Sequence, residues 1–149
     1  MKVLSVGSMY PPHDLGGGYE LLWRQSVEHS RARGWRVRVL TTDFGSTSDP
    51  DPDVVRALRW YWRDHAFPRL GWRERRALER HNAAVLDEQL EAFAPDAVCW
   101  WAMGGMSWSL IERVRRAGVR SVGVVADTWM VYGKRFVPRA GRVDLSAMT

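Results

Sequence analysis

The sequence predicts an α/β protein: a doubly wound, mainly parallel Rossmann-like sheet, in one domain over residues 1–149. Three observations predict it. Short runs rich in Val and Leu alternate with longer stretches of helical spacing. Glycine loops join strand to helix at positions 16–18 and 104–105. The helical stretches stop at Gly34, Pro95 and Gly118, residues that end helices by left-handed backbone or by a missing N–H.

The first strand is predicted over residues 2–8, ahead of Pro11 and Pro12. A helix follows over 19–33, with Tyr19, Leu22, Trp23 and Val27 on one face. "WRVRVLTT" (35–42) alternates and completes a β-α-β unit, most simply a parallel one. "STSDPDPD" (46–53) is a polar turn-rich loop. "VVRALRWYWRD" (54–64) is ambiguous between short strands and an irregular excursion, and 46–76 is set apart as an excursion or basic aromatic surface. A second helix is predicted over 73–93, with Leu78, Val85, Leu86, Leu90 and Phe93 inward. "DAVCWW" (96–101) reads as a strand buried on both faces. Ser109 and Glu112 form a capping-box pattern for a third helix through Arg116. "VRSVGVVADTW" (119–129) reads as another buried strand, and after Val131 the pattern dissolves.

The totals narrow the function classes. The chain is 46% hydrophobic and 26% charged, an ordinary globular composition. One cysteine excludes an internal disulfide framework and fits a reducing compartment. Four scattered histidines and Cys99 make no metal-ligand spacing, so no metal site is expected. The N-terminal apolar run is too short and too patterned for a signal peptide, and no stretch approaches a membrane span. A cytoplasmic location is expected. A net charge of +5 and nine tryptophans point to an anionic or interfacial partner, or to nothing more than a coding bias for arginine.

"SMYPPHDLGGGYE" (8–20) is the most informative stretch. Gly16, Gly17 and Gly18 let the backbone approach a ligand, and the helix behind them offers unpaired N–H groups and a positive dipole end. The loop reads as a phosphate or diphosphate cradle, or else as a turn that needs positive φ. It matches neither the G-x-G-x-x-G fingerprint nor the P-loop, whose Lys-Ser/Thr is missing. In a doubly wound sheet, ligands sit at the carboxyl ends of strands. The opening loop, residues 103–107 and residues 126–129 are all predicted there.

Two blocks carry a resemblance. "MKVLSVGSMYPPHDLGGGYELLWRQSVEHSRARGWRVRVLTT" and "PDAVCWWAMGGMSWSLIERVRRAGVRSVGVVADTWMVYG" resemble, in order and spacing, the N-terminal half of retaining GT-B glycosyltransferases of family 4. The resemblance implies the acceptor-side domain of an enzyme that moves a sugar from a nucleotide-diphosphate donor to a hydroxyl, with retention and without a bound cofactor. It implies that Gly16, Gly17 and Gly18 lie beside the donor diphosphate. His13, Tyr19 and Glu20 fall to the acceptor or cleft; Trp108 and Trp129 lie nearest the predicted cleft, either to stack on an acceptor sugar or to pack in the core. The family's His-Asp pair falls on Ala126 and Asp127. Asp127 is thus the catalytic candidate, or a carboxylate that caps a turn; the histidine is absent, and His13 is the imidazole within the opening loop. The family's donor-binding second domain is expected as a partner domain or subunit, since the chain reads as incomplete at its C-terminus. Alone, this domain is expected to be inactive.

Residues 59–80 hold seven arginines against three acids, interleaved with aromatics. Arg59, Trp60, Trp62, Arg63, Arg69, Trp72 and Arg73 suit an anionic membrane surface carrying a lipid-linked acceptor. The same residues also suit an arginine-coated helix with its tryptophans packed inward. No RNP or KH pattern supports nucleic acid, and none is expected as a partner. Two rivals to the enzyme reading stand: a non-catalytic Rossmann-like module for assembly or membrane binding, and another nucleotide-binding α/β protein.

Overall fold

The computed structural model describes residues 1–61, 68–126, 128 and 129. Among these residues, five parallel strands form one sheet in the order β3-β2-β1-β4-β5. The chain runs β1 (Lys2–Val6), α1 (Gly18–Ala32), β2 (Arg36–Thr42), β3 (Val54–Leu58), α2 (Trp72–Phe93), β4 (Ala97–Trp100), α3 (Ser109–Arg116), β5 (Arg120–Gly123). The predicted fold class stands.

β1 is central, pairing with β2 from Lys2↔Arg36 to Val6↔Leu40 and with β4 from Val3↔Ala97 to Val6↔Trp100. A central parallel strand is covered on both faces, so its residues alternate between two cores. Val3 packs with Trp23 and Val27 of α1, and with Val37 and Val39. Leu4 and Val6 face the other way, toward Leu86 and Phe93 of α2 and Leu110, Ile111 and Val114 of α3. One face therefore carries α1, and the other carries α2 and α3.

Several expectations change. The ambiguous "VVRAL" is β3, an edge strand in parallel register with β2 and shifted between Thr41 and Thr42. The run expected as a buried fifth strand is also an edge. Among the described residues β5 is paired on one side only, and Val122 and Val125 are more than half exposed. An apolar run looks the same in sequence at an edge and at a centre. Leu22 does not face the core: it is 47% exposed, and the inward face of α1 runs through Glu20, Trp23 and Val27. At about 100° per residue, Leu22 lies well off that line. Ser109 is the first residue of α3 rather than its cap; the Ser107 hydroxyl accepts the Ser109 N–H at 3.1 Å. Glu112, the other half of the predicted capping box, binds Arg115 and Arg116 instead.

On the α1 side, no helix among the described residues covers the sheet toward β5. An apolar groove of about 280 Å³ opens there, with Trp35, Cys99, Trp101 and Val122 among its walls. Burial pushes the Cys99 thiol up to about 11. No helix among the described residues is long and apolar enough to cross a membrane.

Candidate functional site

The strand order reverses direction between β1 and β4, because the chain leaves β1 toward β2 and leaves β4 toward β5. Loops that diverge in this way open a crevice at the carboxyl edge of a parallel sheet. The opening loop follows β1 and residues 103–107 follow β4, so both flank this reversal. Their roots are joined where the Ser8 N–H donates to the Ala102 carbonyl at 2.9 Å. Ser8 O in turn accepts from the Thr41 and Thr42 hydroxyls.

The opening loop is braced from beneath. Arg56 of β3 is buried, with its side chain 1% exposed, and its Nε donates to Asp49 at 2.8 Å. Its Nη2 donates to the carbonyls of Tyr10 and Pro11, each at 3.0 Å. Tyr10 packs edge-on against Trp23 at 4.9 Å, and burial raises its hydroxyl to about 12. Beyond the cis Pro11-Pro12 bond, His13 bridges back to Tyr10 and lies against Gly45. Asp14 Oδ1 accepts the Gly16 N–H at 2.6 Å.

The three glycines differ. Gly16 has φ +76, a left-handed conformation that favours glycine. Gly17 is extended at φ −77 and caps α1; a Cβ there would collide with Glu20 Oε2. Gly18 is the first helical residue. Gly16 thus meets the positive-φ reading, whereas at Gly17 it is the Glu20 side chain that approaches the backbone.

Tyr19 spans this carboxyl edge. Its hydroxyl donates to Val124 O at 2.5 Å, and its ring lies 5.8 Å from that of Trp101. This ties the start of α1 to the chain leaving β5. Glu20 is only 9% exposed. Trp108 and Trp129, expected in the cleft, are instead buried at 2% and 0% and meet each other edge-on at 6.2 Å. They fill the core below the edge and offer no face to a sugar. Ala126 is exposed. The catalytic candidate Asp127 lies outside the described residues.

The second glycine loop is strapped by the segment after β3. Trp60 Nε1 donates to Gly104 O at 2.7 Å and Tyr61 N to Gly105 O at 3.1 Å. Tyr61 OH donates to Glu79 at 2.5 Å; burial raises its pKa, and Glu79 raises it further. Asn82 of α2 is fully buried and grips the Arg59 backbone, accepting its N–H at 2.7 Å and donating to its carbonyl at 2.8 Å. Trp60 is therefore a core residue, not part of a membrane surface. The basic aromatic stretch divides. Trp60 and Tyr61 turn inward, while Arg59, Arg69, Trp72 and Arg73 face solvent. Trp72 is 70% exposed, with the Arg73 guanidinium 5.2 Å from its ring. Trp62 and Arg63 lie outside the described residues.

Arg56 and Asn82 were not singled out in the sequence. A lone arginine inside the apolar run "VVRAL" was the available signal for the first; nothing marked the second. Among the described residues, no group of three His, Cys, Asp or Glu side chains is placed to hold a metal ion. No family model matches the chain, and no curated protein matches it.

Proposed function

We propose that this chain is the acceptor-side domain of a retaining GT-B glycosyltransferase, working with a donor-binding domain or subunit. The observation that carries the reading is the strand-order reversal between β1 and β4, with the glycine loop of α1 at the carboxyl edge beside it. The two sequence blocks that resemble family 4 supply the strands and loops on its two sides. In this reading the nucleotide-diphosphate sugar is a co-substrate, and the amides at the start of α1 stabilise charge on the leaving diphosphate. Asp127, just past β5, is the carboxylate assigned to the reacting sugars. The exposed Leu15, Leu21 and Leu22 surround the glycine loop in sequence and suit a contact with the second domain. The solvent-facing Arg69, Trp72 and Arg73 suit an anionic membrane at the cytoplasmic face.

The test is sugar transfer by the polypeptide of the complete reading frame containing this chain, offered UDP-, GDP- and ADP-sugars with lipid and saccharide acceptors. Transfer with retention, lost in Asp127→Ala, is expected. A well-folded product that transfers from no donor contradicts the reading. A second reading, a non-catalytic assembly module, is favoured by the apolar groove beside β5. It predicts a stable complex with a partner protein and no transfer.

A further inference from the structure

The two faces of the sheet are unequally covered. α2 and α3 lie side by side on one face, where Leu86 and Phe93 of α2 share a core with Leu110 and Val114 of α3. On the other face α1 is the one helix among the described residues, seated through Trp23 and Val27. Strands about 4.8 Å apart give each face helix lanes about 10 Å apart, the distance at which helices pack. The second lane on the α1 face is the apolar groove over β4 and β5. Ala97, Cys99 and Val122 form its floor, and Ser26 and Ser30 of α1, one turn apart, form a low wall. Where the Tyr19 hydroxyl meets Val124 O, the carboxyl end of the lane is closed.

The other end is basic. Arg120 precedes Val122 by two residues and so shares its face of β5. Arg33 continues the stripe of α1 that runs through Leu22, Ser26 and Ser30. Both arginines are exposed, and among the described residues neither guanidinium has a hydrogen bond or ion pair. No acidic side chain lines the groove, and Asp96 at this end accepts the Lys2 N–H. These charges select the occupant. A second copy of the chain would bring the same two arginines. Residues 130–149 carry Lys134, Arg135, Arg139 and Arg142 against Asp144, and Pro138 and Gly141 interrupt any helical spacing. An acyl chain is too thin for a lane about 10 Å wide. We propose that the lane between α1 and β5 takes one amphipathic helix of a partner protein. It lies alongside α1, with an apolar stripe of about three turns on the sheet and an acidic end over Arg33 and Arg120.

This deepens the assembly reading by naming the partner's chemistry, and the enzyme reading does not depend on it. Trp35, 38% exposed at the basic end, and Val122, 56% exposed on the floor, are the side chains that the helix buries.

The experiment selects binders of the chain from a phage-displayed library of randomised peptides about 14 residues long, three to four helical turns. Selected peptides are then titrated against wild type, Val122→Asp and the double variant Arg33→Glu with Arg120→Glu, using thermal melting as the folding control. They should carry apolar residues at i, i+3, i+4 and i+7 and acids at one end. In ¹H–¹⁵N spectra they should shift the amides of Ser26, Ser30, Cys99 and Val122 saturably. Val122→Asp and the double charge reversal should each weaken binding about tenfold. Selected peptides without helical spacing, shifts away from these four residues, affinity unchanged by the charge reversal, or no selection at all would overturn the proposal. In the last case sedimentation of the chain separates the two claims. A dimer weakened by Val122→Asp keeps the assembly reading, with a second copy as occupant. A monomer removes the groove as support for that reading too.

Discussion

Arg56→Met should loosen the candidate site by removing its brace. The guanidinium bonds Asp49 at 2.8 Å and two loop carbonyls at 3.0 Å, with the two side chains 1% and 5% exposed. Methionine fills similar volume but leaves a buried carboxylate without its counter-charge. Breaking such a pair from one side costs about 3–5 kcal/mol. A domain of this size has about 5–15 kcal/mol in all. With a urea slope of about 2 kcal/mol per molar, the midpoint should fall by about 2 M. The assay is urea unfolding followed by tryptophan fluorescence, with backbone hydrogen exchange over residues 8–18. Exchange in that segment should rise more than in β1 or β4. Adding Asp49→Leu should recover much of the loss, because the orphaned charge is then gone; the two carbonyls remain unpaired at about 1–3 kcal/mol. A loss below about 1 kcal/mol in Arg56→Met, or no recovery in the double variant, would refute the reasoning.

Three further expectations follow from other contacts. Asn82→Leu removes both partners of the Arg59 backbone and should cost about 2 kcal/mol in the same unfolding assay; a change within error would mean water replaces them. The Cys99 thiol, pushed from its ordinary 9.0 to about 11 by burial, should react with a disulfide reagent about a hundredfold more slowly at pH 8 than an ordinary thiol. Its rate should climb about tenfold per pH unit up to pH 10; a plateau below pH 9 contradicts this. Vesicles rich in phosphatidylserine should bind the chain more tightly than phosphatidylcholine vesicles. Trp72→Ala with Arg69→Gln and Arg73→Gln should weaken that binding, by about 1 kcal/mol per charge; equal binding would remove this surface from the account.

The parallel frame was legible because its signals are local. β1, β2 and β4 are short apolar runs, and α1 and α2 stop at the expected positions. What failed depends on neighbours that the sequence does not name. β3 was obscured because Arg56 interrupts its apolar run, and that arginine has its partners 45 and 46 positions away. β5 was misplaced because edge and centre share one vocabulary. Trp60, Trp108 and Trp129 looked like surface or cleft aromatics because tryptophan serves equally in core and site; burial alone separates these roles. The glycine loop was found correctly at the carboxyl edge. The differing demands at Gly16 and Gly17 rest on a dihedral angle and a side-chain approach that no spacing encodes.

The most direct test of the central claim is where pyrophosphate acts on the ¹⁵N-labelled chain. The account predicts saturable amide shifts at Gly16, Gly18 and Tyr19, with a weaker response at the chain leaving β5. Shifts confined to the arginine-rich start of α2, or to the opposite edge of the sheet near Lys2 and Arg36, would contradict it.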